Sequence, residues 1–298
     1  ALRSISKPVP TEERELNPRA PRRSPKNSVW ANSNTAIGLG AGATGNIPSF
    51  AVTNAGSSPI AGTITVTPSA TNAGIACQGT AINFVITVNP IPDVNSVASQ
   101  VVCNNTATTA IAFGGAVTGT SYAWTNSNTA INLGAAGTGS IAAFNASNTT
   151  NAPITGNFSV TPSYTNATGT CTGTPTTFTI TVNPTPTVNS ISNQTVCVNS
   201  STSSVIFAST FNVSGTQYAW TNNNTAIGLG ASNTGDIPAF TATNSTNAPI
   251  TATITVTPQI LLGGATCYGT AKTFTITVNP IPTVVAPTDL VLCHNENS

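Results

Sequence analysis

The chain has 298 residues, with eight basic and seven acidic side chains, a net charge of +1 and six cysteines. Beyond residue 27 the only charged side chains are Lys272, Asp93, Asp236, Asp289 and Glu296. This composition excludes a basic patch for nucleic acid and an acidic stripe for calcium. No run of about 18 apolar residues occurs, which predicts no segment inserted in a membrane.

The first 27 residues differ in chemistry from everything that follows. They hold seven of the eight basic and three of the seven acidic residues, and no cysteine. An irregular or non-native leader fits this composition, with a basic nucleic-acid-binding arm as an alternative. Residues 4–6 repeat the Ser-Ile-Ser of residues 190–192, so a shifted reading frame is a third interpretation. In each case we expect the repeat that follows to lack its first strands and to expose a sheet edge.

Three tryptophans mark a sequence repeat. Trp30, Trp124 and Trp220 lie 94 and 96 residues apart, and two sets of three cysteines keep the same intervals. Each unit closes with NPIP or NPTP, whose prolines predict a short, stiff joint. The predicted domains are a leader at 1–27, an incomplete first repeat at 28–90, complete repeats at 91–184 and 185–280, and the start of a fourth at 281–298.

Apolar and small polar residues alternate within each repeat. In TFTITV at 273–278, Phe274, Ile276 and Val278 share one face while threonines occupy the other. Clusters of glycine, asparagine and proline separate such strands, and no segment has a helical period. The pattern predicts an all-β chain of tandem immunoglobulin-like β-sandwich domains joined by short proline-rich linkers. We expect Trp30, Trp124 and Trp220 to lie in the cores.

The third repeat also carries a family resemblance. The run YAWTNNNTAIGLGASNTGDIPAFTATNSTNAPITATITVTP, followed by CYGTAKTFTITVNP, resembles the PKD-like repeats of very large surface proteins of the Bacteroidetes, including gliding adhesins and proteins exported by the type IX route. The resemblance covers roughly residues 28–298. It implies an extracellular location and a role as an adhesin stalk or adhesive repeat. The partners it implies are neighbouring repeats and surface polysaccharide or other cell-surface components, with no catalytic residue and no cofactor.

The six cysteines indicate an oxidising compartment, and two disulfide patterns compete. The favoured pattern joins cysteines within a repeat and leaves Cys77 and Cys293 unpaired. The alternative joins cysteines across the proline joints, and buried reduced cysteines are a third possibility. The first pattern pairs Cys103 with Cys171 and Cys197 with Cys267; the second pairs Cys77 with Cys103, Cys171 with Cys197 and Cys267 with Cys293.

Two features suggest ligand binding as an alternative to a structural role. The loop TNNNTAIGLGASNTGD makes Asn222, Asn223 and Asn224 candidate carbohydrate ligands, as in a lectin-like module. Alternate threonines in TATITVTP at 251–258 would stand about 6.6 Å apart along one strand. A flat array of such hydroxyls could bind ice, although twisted sheets spoil long-range regularity.

Motifs for catalysis or metal binding are weak. Residues 40–45 spell GAGATG, a formal match to a dinucleotide fingerprint, but no strand-to-helix unit surrounds them. His294 is the only histidine, and Cys293 and Glu296 beside it do not make a coordination sphere. We therefore predict a chain that is not an enzyme and has no catalytic, cofactor or metal site.

Overall fold

The computed structural model describes residues 26–286, 289, 291 and 294, which form three β-sheets. Residues 1–25 of the charged leader, and Cys293, lie outside the described residues. The described residues fall into two compact units, residues 26–91 with Tyr164–Cys171, and Pro92–Ser163 with the described residues from Thr172 onward. The second and third repeats therefore share one unit, while a short piece of the second repeat belongs with the first.

Each repeat contains the same series of short strands with one 3₁₀ helix. The first repeat has β1 (Lys26–Asn32), β2 (Gly42–Thr44), β3 (Ile60–Asn72), β4 (Ile75–Gln78) and β5 (Ile82–Val88), with the 3₁₀ helix at Thr35–Ile37. The second has β6 (Gln100–Cys103), β7 (Ser121–Asn126), β8 (Ala136–Thr138), β9 (Ile154–Asn166), β10 (Gly169–Thr172) and β11 (Thr176–Asn183), with the helix at Thr129–Ile131. The third has β12 (Gln194–Cys197), β13 (Gln217–Asn222), β14 (Ser232–Thr234), β15 (Ile250–Leu262), β16 (Ala265–Tyr268) and β17 (Lys272–Asn279), with the helix at Thr225–Ile227.

The sheet of the third repeat is built around β15, a strand of 13 residues. Its first half pairs antiparallel with β17, from Ile250 opposite Val278 to Val256 opposite Lys272. The other edge of β15 pairs with β13, and β12 adds to β17 in parallel. The second half of β15 turns back into β16 and forms a hairpin. Because β17 begins only opposite Val256, this hairpin projects past the end of the β17 ladder.

Alternation along β15 divides the sheet into a buried and a half-exposed face. Ala252, Ile254 and Val256 are fully buried, and the threonines between them are partly exposed. Threonine suits the outer face because its branched Cβ fits the pleat and its hydroxyl remains solvated. Trp30, Trp124 and Trp220 are each less than a tenth exposed, and each belongs to the core of its own repeat.

A second layer covers the buried face and completes the sandwich. In the third repeat it consists of extended segments joined by isolated bridges, Val205 with Ile237 and Ser201 with Thr241. Val205, Phe207 and Ile237 from this layer pack against the core of the sheet. The second repeat has matching bridges at Ile111 and Ala107. The sequence prediction of an all-β chain of tandem immunoglobulin-like sandwiches is confirmed.

The first repeat differs from the other two along one edge. In the second and third repeats, β11 and β17 each pair with a further strand, β6 or β12. In the described part of the first repeat, β5 pairs with β3 alone. Phe84 on β5 is accordingly 42% exposed, whereas its counterparts Phe178 and Phe274 are 4% and 2% exposed. Among the described residues, the apolar edge of β5 thus has no neighbouring strand.

Replacing a core residue of β15 should destabilise the third repeat far more than a change on its outer face. For Ile254→Ala we expect a loss of about 3 kcal/mol, from lost apolar contact and the cavity that remains. The matched control Thr255→Val keeps the branched shape and should change stability by no more than about 0.5 kcal/mol. Amide hydrogen exchange of peptides from β15 and β17 measures both changes. Equal effects would contradict the assignment of the buried face.

Candidate functional site at the junction between repeats

An Asn-x-Asn motif begins two residues after each buried tryptophan and folds the loop that follows. In the third repeat the Asn222 Nδ2 donates to the carbonyl of Leu229 at 2.9 Å, and its Oδ1 accepts the Asn224 N–H at 3.0 Å. The Asn224 Oδ1 then accepts the Ala226 N–H and caps the 3₁₀ helix. The same cap and the same backbone bonds occur at Asn32 and Asn34 and at Asn126 and Asn128.

The structure therefore gives the candidate ligand loop a structural role. Asn222 is buried, and both ends of its amide are bonded to backbone. The Asn223 Oδ1 accepts the Thr253 N–H at 2.7 Å, which continues the sheet ladder past the end of β13. The Asn224 Nδ2 donates to the Thr251 carbonyl. From sequence, these asparagines are interpreted as ligand residues. The two roles are hard to tell apart because an asparagine amide uses the same oxygen and nitrogen atoms to fold a loop as to bind a ligand.

The β15–β16 hairpin ends in a two-residue turn, Gly263-Gly264. Their φ angles are +57° and +84°, the left-handed region that a tight hairpin turn requires and that glycine adopts without steric cost. A Cβ at Gly263 would stand 3.1 Å from a methyl group of Val101, which lies on β6 of the preceding repeat. Its conformation therefore favours glycine here, and any larger residue would also press on Val101.

The hairpin lies against the end of the second repeat, which contributes Cys103 to a small buried cluster of the third. Ile260 and Cys267 from the hairpin and Val213 from the third repeat are buried together, with Cys103 and Leu262 packed against them. A Cys103–Cys267 disulfide joins the two repeats, with the Cα atoms 5.5 Å apart and a sequence separation of 164. Its cysteines come from β6 and β16.

Polar contacts complete the seat. The Asn183 Nδ2 donates to the Leu262 carbonyl at 2.9 Å. Asn183 ends β11 directly beside Cys103 in the parallel ladder, so the hydrogen bond and the disulfide lie side by side. A side chain on Gly269 would collide with the carbonyl of Pro186, so this glycine lets the base of the hairpin lie against the proline joint. We call this whole contact between hairpin and preceding repeat the hairpin seat.

The observed disulfide differs from both patterns expected from sequence. Cys171 and Cys197, expected to pair with Cys103 and Cys267 within repeats, are free. The cross-joint pairing of Cys77 with Cys103 does not occur either, and Cys77 is free and exposed.

The reason is the length of β15. Cys267 lies opposite Ile260, whereas Cys197 lies beside Asn279, next to the Val278 that pairs with Ile250. Along β15, the ten residue steps from Ile250 to Ile260 span about 34 Å. A disulfide needs Cα atoms within about 7 Å, so the two cysteines of one repeat cannot meet.

A related contact occurs in the first unit. Asn89, the counterpart of Asn183, exchanges side-chain hydrogen bonds with Asn166 at 3.1 and 2.7 Å. It also donates to the Thr168 Oγ1 at 3.1 Å. Asn166 and Thr168 belong to the tip of the β9–β10 hairpin, as Leu262 belongs to that of β15–β16. The hairpin seat therefore forms twice, once with a disulfide and once with Cys171 left as a half-buried free thiol.

The two carboxylates of the sandwich body hold backbone in place. Asp93 accepts the Ala116 N–H at 2.7 Å, and Asp236 accepts the Phe207 N–H at 2.8 Å. Each therefore fixes an extended segment of its own repeat. Neither lies beside a second carboxylate or a histidine in a described cluster of three or more such groups.

Two tyrosines next to these carboxylates remain protonated at neutral pH. Burial raises the pKa of Tyr122 above its ordinary value of 10.0, and the negative charge of Asp93 raises it further, against a small opposing effect of the Thr120 hydrogen bond. Burial and then Asp236 raise the pKa of Tyr218 in the same direction. Both hydroxyls therefore act as neutral groups at the margin of the core.

The structure also bears on metal binding and on membrane insertion, for the residues that it describes. Among them no group of three or more histidine, cysteine, aspartate and glutamate side chains is placed to hold a metal ion. Across residues 26–286 and the three isolated positions beyond, no helix is long and apolar enough to cross a bilayer. The Cys293 and Glu296 neighbours of His294 lie outside the described residues.

No protein-family model and no curated protein matches the chain. Solved structures similar to it include the three N-terminal domains of the Hoc protein of bacteriophage RB49, at 12% identity and TM-score 0.34, covering 87% of this chain and 90% of that one. The human desmocollin-1 ectodomain is 11% identical with TM-score 0.27, covering 79% of this chain. The I9–I11 tandem of titin is 11% identical with TM-score 0.25, covering 76% and 95%. This chain spans 50% of the desmocollin chain, and the likeness concerns the fold alone.

Removing one amide of the Asn-x-Asn motif should destabilise the third repeat. Asn222→Ala leaves the Leu229 carbonyl and the Asn224 N–H without their partner, and we expect a loss of about 2 kcal/mol. The control Asn233→Ala removes only an exposed bond to the next residue and should be nearly neutral. Pulse proteolysis over a urea series, with cleavage assigned to residues 217–235, measures the shift. If Asn222→Ala left the urea midpoint unchanged, the loop would not depend on this side chain.

Proposed function

We propose that the chain is a repeat region of a secreted bacterial surface protein, of the kind found in large Bacteroidetes adhesins exported by the type IX route, and that it acts as a stalk. It performs no reaction of its own. The observation that carries this proposal is the hairpin seat with its Cys103–Cys267 disulfide. A disulfide between two domains suits an oxidising, extracellular setting.

A stalk must keep successive domains from bending and from being pulled apart. The hairpin seat supplies a hydrogen bond, a covalent bond and the packing of Cys103 against a buried cluster of the third repeat, all at one contact. The joint is held as well, since the Asn104 Nδ2 donates to the Thr185 Oγ1 at 3.0 Å. The proline joint limits backbone freedom between the repeats. These contacts make the second and third repeats a single mechanical body.

The disulfide also changes the path along which tension passes. A pull on the two ends of the chain enters at Cys103 and leaves at Cys267 through the sulfur atoms, since this route is far shorter than the polypeptide between them. The polypeptide between the two cysteines, which are separated by 164 positions, is then shielded from extension. Fully extended it would span about 560 Å. The bond thus limits how far the stalk lengthens when its domains open.

The described contacts do not favour the two ligand-binding alternatives. The amides of the candidate carbohydrate loop are bonded to backbone. The threonine rows bond partly to one another, with the Thr251 and Thr277 hydroxyls 3.0 Å apart and those of Thr155 and Thr181 2.9 Å apart. A row of hydroxyls on a half-exposed sheet is also an ordinary solvated surface. The stalk is therefore the function that the contacts support best.

Pulling single molecules by their ends tests the mechanical role. The oxidised chain should unfold with a total contour length about 560 Å shorter than that of Cys267→Ser, because the polypeptide between the two cysteines stays shielded. The control Cys77→Ser removes an exposed free thiol and should leave the contour length of a single molecule unchanged. Equal lengths for the oxidised chain and Cys267→Ser would show that the disulfide does not carry the load.

Binding of the folded chain to a broad panel of polysaccharides and glycans separates a stalk from an adhesive repeat. We expect no saturable binding, because the exposed polar groups of the candidate loop are used within the fold. Circular dichroism of the same sample shows that a negative result comes from folded β-sheet. Saturable binding to any one glycan would make the repeats themselves adhesive and would overturn the stalk proposal.

A further inference from the structure

The two hairpin seats of the chain are held by different kinds of contact. In the second seat, between the second and third repeats, a disulfide joins Cys103 to Cys267, and Cys103 packs against a small buried cluster. In the first seat the β9–β10 hairpin contacts the first repeat, and Cys171, the counterpart of Cys267, is a half-buried free thiol. The described contacts of the first seat are therefore all non-covalent.

One asparagine makes the hydrogen bonds of the first seat. The Asn89 amide exchanges bonds of 3.1 and 2.7 Å with the Asn166 amide, and the Thr168 hydroxyl bonds to the Asn89 amide at 3.1 and 3.4 Å. Asn166 and Thr168 belong to the hairpin tip, where residues 167–170 are exposed. Bonds between such partly exposed side chains add little net stability, because water offers the same partners once the contact opens.

Apolar packing adds little to the first seat. Among the buried apolar clusters of the described residues, none contains side chains from both the first repeat and the β9–β10 tip. In the third repeat, Ile260 and Cys267 form part of the buried cluster against which Cys103 packs. Tyr164 and Cys171 stand at the corresponding positions of the β9–β10 hairpin and are only half-buried. The hairpin thus offers the first repeat no comparable cluster.

A cleft lies between the hairpin tip and the first repeat. It has a volume of about 330 Å³. The residues that line it from the first repeat include Val52, Asn54 and Ile91, and those from the hairpin include Thr170 and Cys171. Well-packed contacts leave few spaces of this size. The tip and the first repeat are therefore joined mainly by the hydrogen bonds of Asn89.

The base of the hairpin, in contrast, is packed in the same way at both seats. A Cβ on Gly173 would collide with the Pro92 carbonyl, as a Cβ on Gly269 would collide with the Pro186 carbonyl. The N–H of each glycine also donates to the proline on the central strand, at 2.9 Å for Gly173 and 2.8 Å for Gly269. The two seats therefore differ at the tip of the hairpin and not at its base.

We propose that the first seat is a releasable latch. The tip of the β9–β10 hairpin detaches from Asn89 while the sheets of both repeats stay folded, and the Cys171 thiol then becomes fully exposed. Segments with few buried apolar contacts and with exposed hydrogen bonds open at low free energy in folded proteins. The second seat stays closed under the same conditions, because its disulfide holds the tip in place.

This inference deepens the stalk proposal and rests on it for its mechanical meaning. In a stalk under load, the latch lets the chain yield at the first junction before any sheet unfolds. It closes again when the load is removed, because no covalent bond has been broken. The second junction keeps its stiffness throughout. The two junctions of the chain thus have different mechanical roles.

Labelling the folded, full 298-residue chain with N-ethylmaleimide tests the latch, with each modified cysteine assigned by mass spectrometry. Cys77 and Cys197 are exposed and should react as fast as thiols of the denatured chain, which makes them internal references. Cys171 should react more slowly, and its rate should depend only weakly on urea, since detaching the tip exposes little surface. A Cys171 rate that rises with urea as steeply as amide exchange in β3 and β9 would overturn the inference, because the seat would then open only on unfolding.

Variants of the two seats decide whether the Asn89 bonds limit the labelling. Asn89→Ala should raise the Cys171 rate about tenfold, because every described hydrogen bond of the latch includes this side chain. Thr168→Val keeps the branched shape at an exposed position, removes only part of the bonds and should raise the rate about threefold. The matched control Asn183→Ala removes the corresponding amide of the second seat and should leave the Cys171 rate unchanged.

Equal Cys171 rates in the unmodified chain, Asn89→Ala and Thr168→Val would overturn the latch. Circular dichroism of each variant shows that the sheets remain folded during labelling. The rates are measured without load, so this result would leave the contour-length difference produced by the disulfide unaffected. The latch and the stalk therefore fail in separate experiments.

Discussion

The architecture depends on a difference in length between two paired strands of each repeat. The long central strand of each repeat, β3, β9 or β15, has 13 residues, while the outer strand that pairs with its first half has seven or eight. The excess length must pair with something, and in each case it turns back on itself as a hairpin. That hairpin reaches past the sheet of its own repeat. Pairing between its two strands satisfies only the backbone groups that face each other, so its outer edge and its side chains still need a surface to cover them.

The hairpin seat supplies that surface and explains how a nearly uncharged chain makes definite contacts. Surface ion pairs contribute little to such a chain because so few charges exist. Its specificity comes from backbone carbonyls, asparagine amides and the small size of glycine at points of close approach. The Asn183 side chain donates a hydrogen bond to the Leu262 carbonyl, and Gly263 leaves room for the neighbouring Val101 side chain. These are geometric conditions, so they fix the register of one repeat on the next more strictly than charge would.

Much of the fold could be predicted from the sequence, because alternation along a strand reports burial directly. Ile254, Phe274 and Trp220 lie where that pattern places them. The disulfide could not be predicted in this way. In a chain of near-identical repeats, cysteines at a fixed spacing look the same whether they pair within a repeat or with the next one. One feature of the sequence did indicate the difference. The alternating run continues from Ile250 to Ile260 and ends at a Gly-Gly turn, and a strand of that length places Cys267 far from Cys197.

The asparagine-rich loop shows a second limit of sequence reasoning. Three consecutive asparagines suggest a polar surface open to a ligand, but Asn222 is buried and bonded to backbone. The signal that distinguishes the two roles is positional, since an asparagine follows the core tryptophan by two residues in every repeat. A residue that keeps a fixed distance from the core is tied to the fold. A residue that serves a ligand needs no such relation to a buried tryptophan.

The Cys103–Cys267 bond also sets an order of events when the protein is made. Cys103 leaves the ribosome or an export channel 164 residues before its partner, and Cys171 and Cys197 both emerge in the interval. At about 5 to 20 residues per second, synthesis alone leaves Cys103 waiting for roughly 8 to 33 s. An oxidant that acted during this time would join it to a nearer, incorrect cysteine. Correct maturation therefore requires the sheets to form first and the sulfur chemistry to come last.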